Sequence, residues 1–551
     1  MRSVTAKTFG LFALSAVGCT GVYDCKDDAG ACAEMLNAQA QACAEAFKLK
    51  HTDRKRKHCE HAIDMVGDEA EKSALPGLQG ILAVGESGIP DDNHRQEAAK
   101  ALGEIGDPAA VEALVSAIDY EAGTSSDPKD KMANRANEAI ATSLGTLGDA
   151  KAIPKLLELM DRSRDNFVVL KAIRALGQIG DAAAVKDLSK VALEHSNKFM
   201  RKNAVIALGD IADPSATDTL IQMMFVEYQG VSFYREASFG LYQIGPSTAD
   251  ALLETMAMKN EAVNQIFEKS GGIKESAVKA KCGFVLGDLR DPRAVEPLMS
   301  AFADASDPKS YDPVVLGYAA PPLGALEDAK ATSLLQKNMG TIDQSLRDPI
   351  MQALVMIGDT AAVPDMMKLM TRADFVAKCT KLGNSAQACI AEKDSRQGAQ
   401  ETAADHVSNM ATGEHLDAYV AIMEAEEDPE LQKYMKERLV RVETAKACGE
   451  DAQCWAKKLS DDDPLLRERS AWALKRLKDP STMDALVKAL SDKNRKARYA
   501  AIHAYWSFGD GRAVQAIEKI LDDEKSSADF VRVNEDLKRL LVHLQRDTNS
   551  A

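Results

Sequence analysis

From Glu97 onward the chain alternates two short runs whose apolar residues recur at helical spacing. In the first run Ala98, Leu102 and Ile105 stand at i, i+4 and i+7; in the second Val111, Leu114 and Ile118 stand at i, i+3 and i+7, so each predicts an amphipathic helix with one apolar stripe. Between them Gly106 suits the left-handed position that ends a helix. Asp107 can cap the next helix through its carboxylate, and Pro108 suits a first helical turn. The same unit restarts at Asn137, Val169 and Arg201, and weaker copies start at Arg235, Lys279, Ile350, Ser470 and Ala501. The residue before the turn aspartate, or its equivalent, falls at 106, 148, 180, 212 and 245, with steps of 42, 32, 32 and 33 residues. A unit of that length built from two helices predicts an all-α chain that grows by stacking helix pairs. Asp213-Pro214, Asp291-Pro292 and Asp479-Pro480 repeat the turn. A cap of this kind contributes around 1 kcal/mol, so these aspartates need no catalytic role.

Gly103, Gly145, Gly177, Gly209 and Gly287 lie inside the first helix of their units, where glycine costs roughly 0.5–1 kcal/mol relative to alanine. Ala98, Ala172, Ala204, Ala237 and Cys282 form a second column of small residues, each four positions before a leucine. Together the columns predict close packing of successive first helices. Cys282 is then a buried small hydrophobe and not a nucleophile.

The ALGxIGD-xxAVxxL pattern, clearest from Glu97 to Leu220 and from Ser470 to Leu521, resembles HEAT repeats of the short bacterial class, also seen in bilin-lyase-type proteins. The resemblance implies an α-solenoid: a right-handed superhelix of antiparallel helix pairs whose second helices line a concave, protein-binding surface. On this reading residues 1–18 are a signal segment, 19–60 a Cys-containing tether and helical cap, and 61–374 the repeat array. Residues 375–460 are degenerate repeats or an insertion, since Phe375 to Val442 loses the Gly-Asp turn, and 461–551 hold the C-terminal repeats and cap. Glu121–Lys131, Asp304–Pro313 and Ala445–Pro464 are polar and turn-rich and read as extended loops.

The start of the chain changes the picture of where this array sits. Arg2 and Lys7 precede an apolar run, Phe9 to Val17, that is too short to span a bilayer. Ala16-Val17-Gly18-Cys19 is similar to the lipobox of bacterial lipoproteins, with Ala16 where leucine is usual. That resemblance implies acylation of Cys19 and an exported, membrane-anchored lipoprotein at the cell envelope or periplasm. Nine further cysteines fit an oxidising compartment. Cys379 with Cys389 and Cys448 with Cys454 are close in sequence and read as short disulfide-closed loops; Cys25, Cys32, Cys43 and Cys59 are candidates for bridges in the N-terminal cap. Next to that cap Lys48, Lys50, Arg54, Lys55, Arg56 and Lys57 stand against the single Asp53. They form a candidate contact patch for anionic lipid or an acidic partner, with a plain solvated helix face as the alternative. Lys493, Arg495, Lys496 and Arg498 form a second basic cluster, read as solvated.

Composition and motifs exclude more than they assign. Hydrophobic residues make up 45% of the 551 residues but aromatic ones only 5%, as suits helices packed on small aliphatic columns. The net charge of −16 opposes nucleic-acid binding. His58, Cys59 and His61 lack a fixed fourth ligand, so no metal is assigned to them. The HEAT-like deoxyhypusine hydroxylases hold iron with His-Glu dipeptides, and none of the nine histidines here precedes a glutamate. No G-x-S-x-G, P-loop or H-E-x-x-H occurs. The expectation is a scaffold without cofactor or catalytic residues, binding protein partners through its concave surface. A lyase-like or ligand-binding subunit of an enzyme system is the alternative.

Overall fold

The computed structural model describes residues 75–83, 92–270, 275–340, 344–381, 393–524 and 531–550, with single positions at 385 and 387. Among them the secondary structure is helical apart from one two-residue hairpin, β1 (Glu227–Tyr228) antiparallel to β2 (Val231–Ser232), with Glu227 opposite Ser232. Two compact units are present, one ending at Leu188 and one beginning at Ser189. Helices α1 (Leu75–Ala83), α2 (Asp92–Ile105), α3 (Val111–Ser116), α4 (Pro128–Leu147), α5 (Ile153–Arg162) and α6 (Asn166–Ile179) belong to the first, and α7 (Val185–Glu194) follows. The second holds α8 (Lys198–Ile211), α9 (Thr217–Met223), α10 (Tyr234–Ile244), α11 (Ala249–Met256), α12 (Glu261–Ser270), α13 (Glu275–Asp288) and α14 (Val295–Ser306). It continues with α15 (Pro313–Ala325), α16 (Thr332–Asn338), α17 (Gln344–Ile357), α18 (Val363–Lys368), α19 (Arg372–Lys381), α20 (Lys393–Met410), α21 (Leu416–Ala425) and α22 (Pro429–Cys448). It ends with α23 (Ala452–Lys458), α24 (Pro464–Leu477), α25 (Met483–Ala489), α26 (Arg495–Phe508), α27 (Val514–Asp523) and α28 (Val531–Ser550).

The repeated turn is built as its chemistry requires, with one refinement. Asp107, Asp149, Asp181, Asp213, Asp291 and Asp479 each accept a hydrogen bond from the backbone N–H two residues on. What they cap is a single 3-10 turn, such as Pro108–Ala110, and the α-helix proper starts after it at Val111. Second helices are therefore shorter than the apolar spacing predicts: α3 ends at Ser116, not Ile118. Gly148 takes the left-handed conformation at φ 68° to end α4. The first helices carry caps of their own, which the repeat pattern did not reveal. Asp165, Asn197, Asp312, Asp463 and Asn494 each accept from the N–H two residues on.

The glycine column is the seam along which first helices touch. A Cβ at Gly209 would lie 2.8 Å from the Cα of Gly240, one at Gly145 2.8 Å from the Cα of Ala175, and one at Gly287 2.8 Å from the Cα of Pro322. Backbone meets backbone there, so a methyl group has nowhere to go without separating two helices. Gly209→Ala is accordingly expected to destabilise the second unit by about 1–3 kcal/mol, read as a lower urea midpoint with an unchanged slope. Cys282, in the second small column, is fully buried with a free thiol whose pKa burial pushes up.

First helices pack on one another without a break through the degenerate stretch: α17 on α20, α20 on α22 and on α24, α24 on α26 and α26 on α28. The segment Ala445–Pro464 is not an extended loop. α22 runs to Cys448, a disulfide joins Cys448 to Cys454 with Cα atoms 5.5 Å apart, and α23 follows at once. Capping explains the difference, since Asp451 accepts from the N–H groups of Gln453 and Cys454 and starts a helix. Reducing this bridge is expected to cost about 2 kcal/mol of stability in the chain-entropy model, measured by urea unfolding with and without reductant.

The second unit closes on itself. α28 lies along α10, where the Tyr242 hydroxyl donates to the Arg539 carbonyl at 2.8 Å, Arg546 donates to the Tyr242 carbonyl at 3.0 Å and Arg235 pairs with Glu535. Arg539 also pairs with Asp288 on α13 at 3.0 Å. Glu327, just past α15, gathers Arg290 at 2.7 Å, Lys475 of α24 at 2.8 Å, Lys478 at 2.9 Å and the Ser507 hydroxyl of α26 at 2.6 Å. Lys475 also donates to the Met356 carbonyl of α17. All these contacts run between first helices or their ends. Repeats far apart along this unit therefore meet through first helices.

Candidate interaction surface

Six large hydrophobic side chains are exposed among the described residues: Phe167, Phe199, Ile206, Tyr311, Val314 and Tyr318. All lie on first helices or at the entry to one: Phe167 on α6, Phe199 and Ile206 on α8, Tyr311 before α15, Val314 and Tyr318 on it. Three occupy one repeat position, two residues after the cap: Phe167 follows Asp165, Phe199 follows Asn197 and Val314 follows Asp312, each giving its N–H to that cap. The equivalent position is lysine at 129 and 496, which shows that solvent tolerates a charge there. An exposed phenylalanine in its place leaves on the order of 2 kcal/mol of transfer free energy unrealised in the isolated chain. The signal was legible as Asp-x-Phe and Asn-x-Phe, and it was missed because the reading aligned the repeats on their second turn.

The residues singled out from sequence fall in different places. Cys19, Cys25, Cys32, Cys43, Cys59 and the basic run Lys48–Lys57 lie outside the described residues, as do Cys389 and the side chain of Cys379. In the second basic cluster Lys493, Arg495 and Lys496 are exposed, as the solvated reading expects, although Lys496 also reaches Asp405 at 2.5 Å. Arg498 is the exception: it is buried, pairing with Glu524 at 2.7 Å and donating to the Asp492 carbonyl at 2.8 Å. Its carboxylate lies 26 residues away, which local spacing cannot show.

Inside the second unit the charges answer one another. Asp405 accepts from Arg441 at 2.7 Å as well as from Lys496, and Arg441, wholly buried, also donates to Glu468. Despite burial, Arg441 and Lys496 hold the Asp405 carboxyl well below the usual carboxylate range, and Lys475 with Arg290 does the same for Glu327. Beside the Glu327 cluster His503 stacks between Trp472 and Trp506, with ring centroids 6.2 and 6.0 Å away, and Tyr499 lies at 4.3 Å. Burial, with Arg290 and Lys475 nearby, pushes the His503 pKa down to about 3, so the ring is neutral.

Two interior carboxyls go the other way. Burial raises Asp288 to about 6 and Asp536 to about 7, with Arg539 opposing both shifts. A folded pKa above the unfolded value means that the native state binds the extra proton. That stabilisation is complete below about pH 4 and is lost as pH rises through 6 to 7. The lowered His503 acts oppositely as pH falls from about 6.5 toward 3 and offsets part of this gain, and the lowered Glu327 and Asp405 do so below about pH 4.5. Unfolding free energy is thus expected to be higher at pH 5 than at pH 7.5, on the order of 2 kcal/mol, with Asp536→Asn flattening the slope in urea titrations.

Among the described residues no group of three or more His, Cys, Asp or Glu side chains is placed to hold a metal ion. An open depression of about 390 Å³ lies over α16 and α18, and its Lys368 is already paired with Asp365 at 2.7 Å. No helix among the described residues is long and apolar enough to cross a membrane.

Family models agree with the repeat. One for HEAT repeats matches residues 168–228 and 453–532, and one for PBS lyase HEAT-like repeats matches 95–120, 137–162 and 278–304. No curated protein matches the chain. Among solved structures the chain is similar to human deoxyhypusine hydroxylase in complex with glycerol, at 20% identity over 53% of this chain and 97% of that one, with a TM-score of 0.21. It is similar to importin beta at 12% identity over 94% and 86%, TM-score 0.38, and to yeast importin-beta at 11% over 93% and 81%, TM-score 0.40.

Proposed function

Because the chain is a HEAT-repeat protein, we propose that it is a non-enzymatic scaffold at the cell envelope that binds other proteins through the exposed faces of its first helices. One observation carries the reading: every large exposed hydrophobic side chain of the described residues sits on that class of helix or, for Tyr311, at the entry to one, and none on a second helix. A surface that merely tolerated apolar residues would scatter them over both classes. The rival reading, a lyase-like or ligand-binding subunit, needs convergent polar groups around a closed pocket, whereas the interior charges of the second unit are spent on one another. On this reading acylation at Cys19 tethers the array, the basic run Lys48–Lys57 follows it in the sequence and suits anionic lipid, and the acidic excess of the whole chain steers partners.

A photo-crosslinking side chain at Phe199 or Tyr318 is expected to trap a reproducible partner in envelope preparations, and one at exposed Lys488 on α25 is not. Equal trapping from all three positions would remove the basis of the assignment. Location is tested separately: Cys19→Ser is expected to move the protein from the membrane fraction to the soluble one, and an unchanged distribution overturns the lipid anchor.

A further inference from the structure

Half of the exposed large hydrophobics among the described residues fall within eight residues of one another, at Tyr311, Val314 and Tyr318, with Val314 63% and Tyr318 37% exposed. Val314 and Tyr318 are four apart on α15 and share a face. The shelf extends inward without a break. The Tyr318 ring meets the edge of Tyr234 of α10 at 5.7 Å between centroids, and Tyr234 meets Phe284 of α13 at 6.5 Å. At the inner end stands Lys281 of α13, its ammonium 5.0 Å from the Tyr234 ring centre and 5.4 Å from that of Phe225. Its one hydrogen bond among the described residues is a 3.3 Å contact to the Met224 carbonyl, and no carboxylate there comes within ion-pair distance, the Glu227 carboxylate acting on it only from further off. The Tyr234 hydroxyl is buried with no hydrogen-bond partner.

In lacking a carboxylate Lys281 differs from Lys475, Arg290, Arg441 and Arg539, each of which has one within 3.0 Å. Arg469 also lacks one, but it is buried against the Trp455 ring and donates to the Ala411 carbonyl, whereas Lys281 is only half-buried and lies next to the exposed shelf. An ammonium ion with two hydrogens left over, beside an unpartnered hydroxyl and below an exposed apolar shelf, is complementary to a carboxylate carried among apolar groups. The half-desolvated setting makes such a pair stronger than at an open surface.

We propose that this shelf is the docking point for a peptide segment of the protein partner, one that lays apolar side chains on Tyr311, Val314 and Tyr318 and brings an Asp or Glu carboxylate to Lys281 and the Tyr234 hydroxyl. The inference rests on the scaffold reading and deepens it by naming the partner's chemistry. A peptide fits better than an isolated acid because the shelf and the cation sit on three different helices, so several side chains of one strand or turn engage at once.

The test uses the full chain and two pools of dye-labelled eight-residue peptides, each rich in Leu and Phe, one with a single central Asp and the other with Asn in its place. Fluorescence anisotropy is expected to show saturable binding of the Asp pool, about tenfold tighter than the Asn pool. Lys281→Gln should bring the two pools together, Tyr234→Phe should narrow the gap with the fold unchanged, and Val314→Ser with Tyr318→Ser should weaken both. Equal binding of the two pools by the natural chain, or a gap that survives Lys281→Gln, overturns the proposal. Saturable binding of oleate that is lost in Lys281→Gln, with no binding of either peptide pool, also overturns it by making the occupant a fatty acid. Crosslinking from Phe199 is independent of this niche, so a partner trapped there while the peptide test fails leaves the scaffold standing without this docking point.

Discussion

Arg441→Met is expected to lower the unfolding free energy of the second unit by about 3–5 kcal/mol, the largest effect of any single substitution considered. The guanidinium is wholly buried and divides itself between Asp405 at 2.7 Å and Glu468, with the Ser408 hydroxyl at 3.0 Å and the Leu465 carbonyl at 3.0 Å using its remaining donors. Methionine fills a similar volume but leaves two carboxylates in the interior with one cation fewer. Asp405 keeps Lys496 and Arg438, so most of the loss falls on Glu468, whose other bond is from the Asn409 amide at 2.9 Å. The double variant Arg441→Met with Glu468→Gln should therefore recover a large part of the stability. Urea unfolding followed by tryptophan fluorescence reports it, since Trp455 and Trp472 flank this region on α23 and α24. A single-variant loss below about 1 kcal/mol would show that the network is solvated and weak.

Glu327→Gln should cost a similar amount, about 3 kcal/mol, and should also change shape. Glu327 is where the early and late repeats of the second unit meet, facing Arg290 from one side and Lys475, Lys478 and Ser507 from the other. Burial already depresses Lys475 to about 8, and the carboxylate is what opposes that shift. Without it three cations face one another across the seam. The expected result is a larger radius of gyration by small-angle scattering, increasing further at low ionic strength where repulsion is unscreened. Pairing Glu327→Gln with Lys475→Met should restore compactness, because it removes a buried cation together with the carboxylate that balanced it. An unchanged radius in the single variant would mean that α28 and the aromatic contacts hold the closure unaided.

The helix pairs and their turns were readable because each depends on residues close in sequence: the period-3.6 stripe, an aspartate two residues before the N–H it accepts, a glycine where two backbones cross. Gly103, Gly145, Gly209 and Gly287 even disclosed which helices touch. That repeats far apart in the second unit meet through first helices was not readable, since the partners lie 297 and 304 positions apart. Arg498 shows the same gap at the level of a single residue: in the run Lys493-Asn494-Arg495-Lys496-Ala497-Arg498 it looks solvated like its neighbours until Glu524 is seen beside it. Of the candidate surface, Phe167, Phe199 and Val314 carried a local signal in the cap that precedes each. The niche of Lys281 carried none, because Tyr234, Phe225 and Tyr318 converge on it from separate helices.

An open repeat array can gain or lose a unit by recombination and remain a working array, with each repeat resting only on its neighbours. The second unit lacks that freedom. Tyr242 must meet Arg539 and Arg546, which lie 297 and 304 positions further along. Removing one helix pair would bring a different side chain to that meeting point, so the number of units is locked by geometry and descent can alter only their surfaces. The same contacts must form last in time, after every intervening pair is in place, since closing a loop of that length gains nothing until its ends are already shaped.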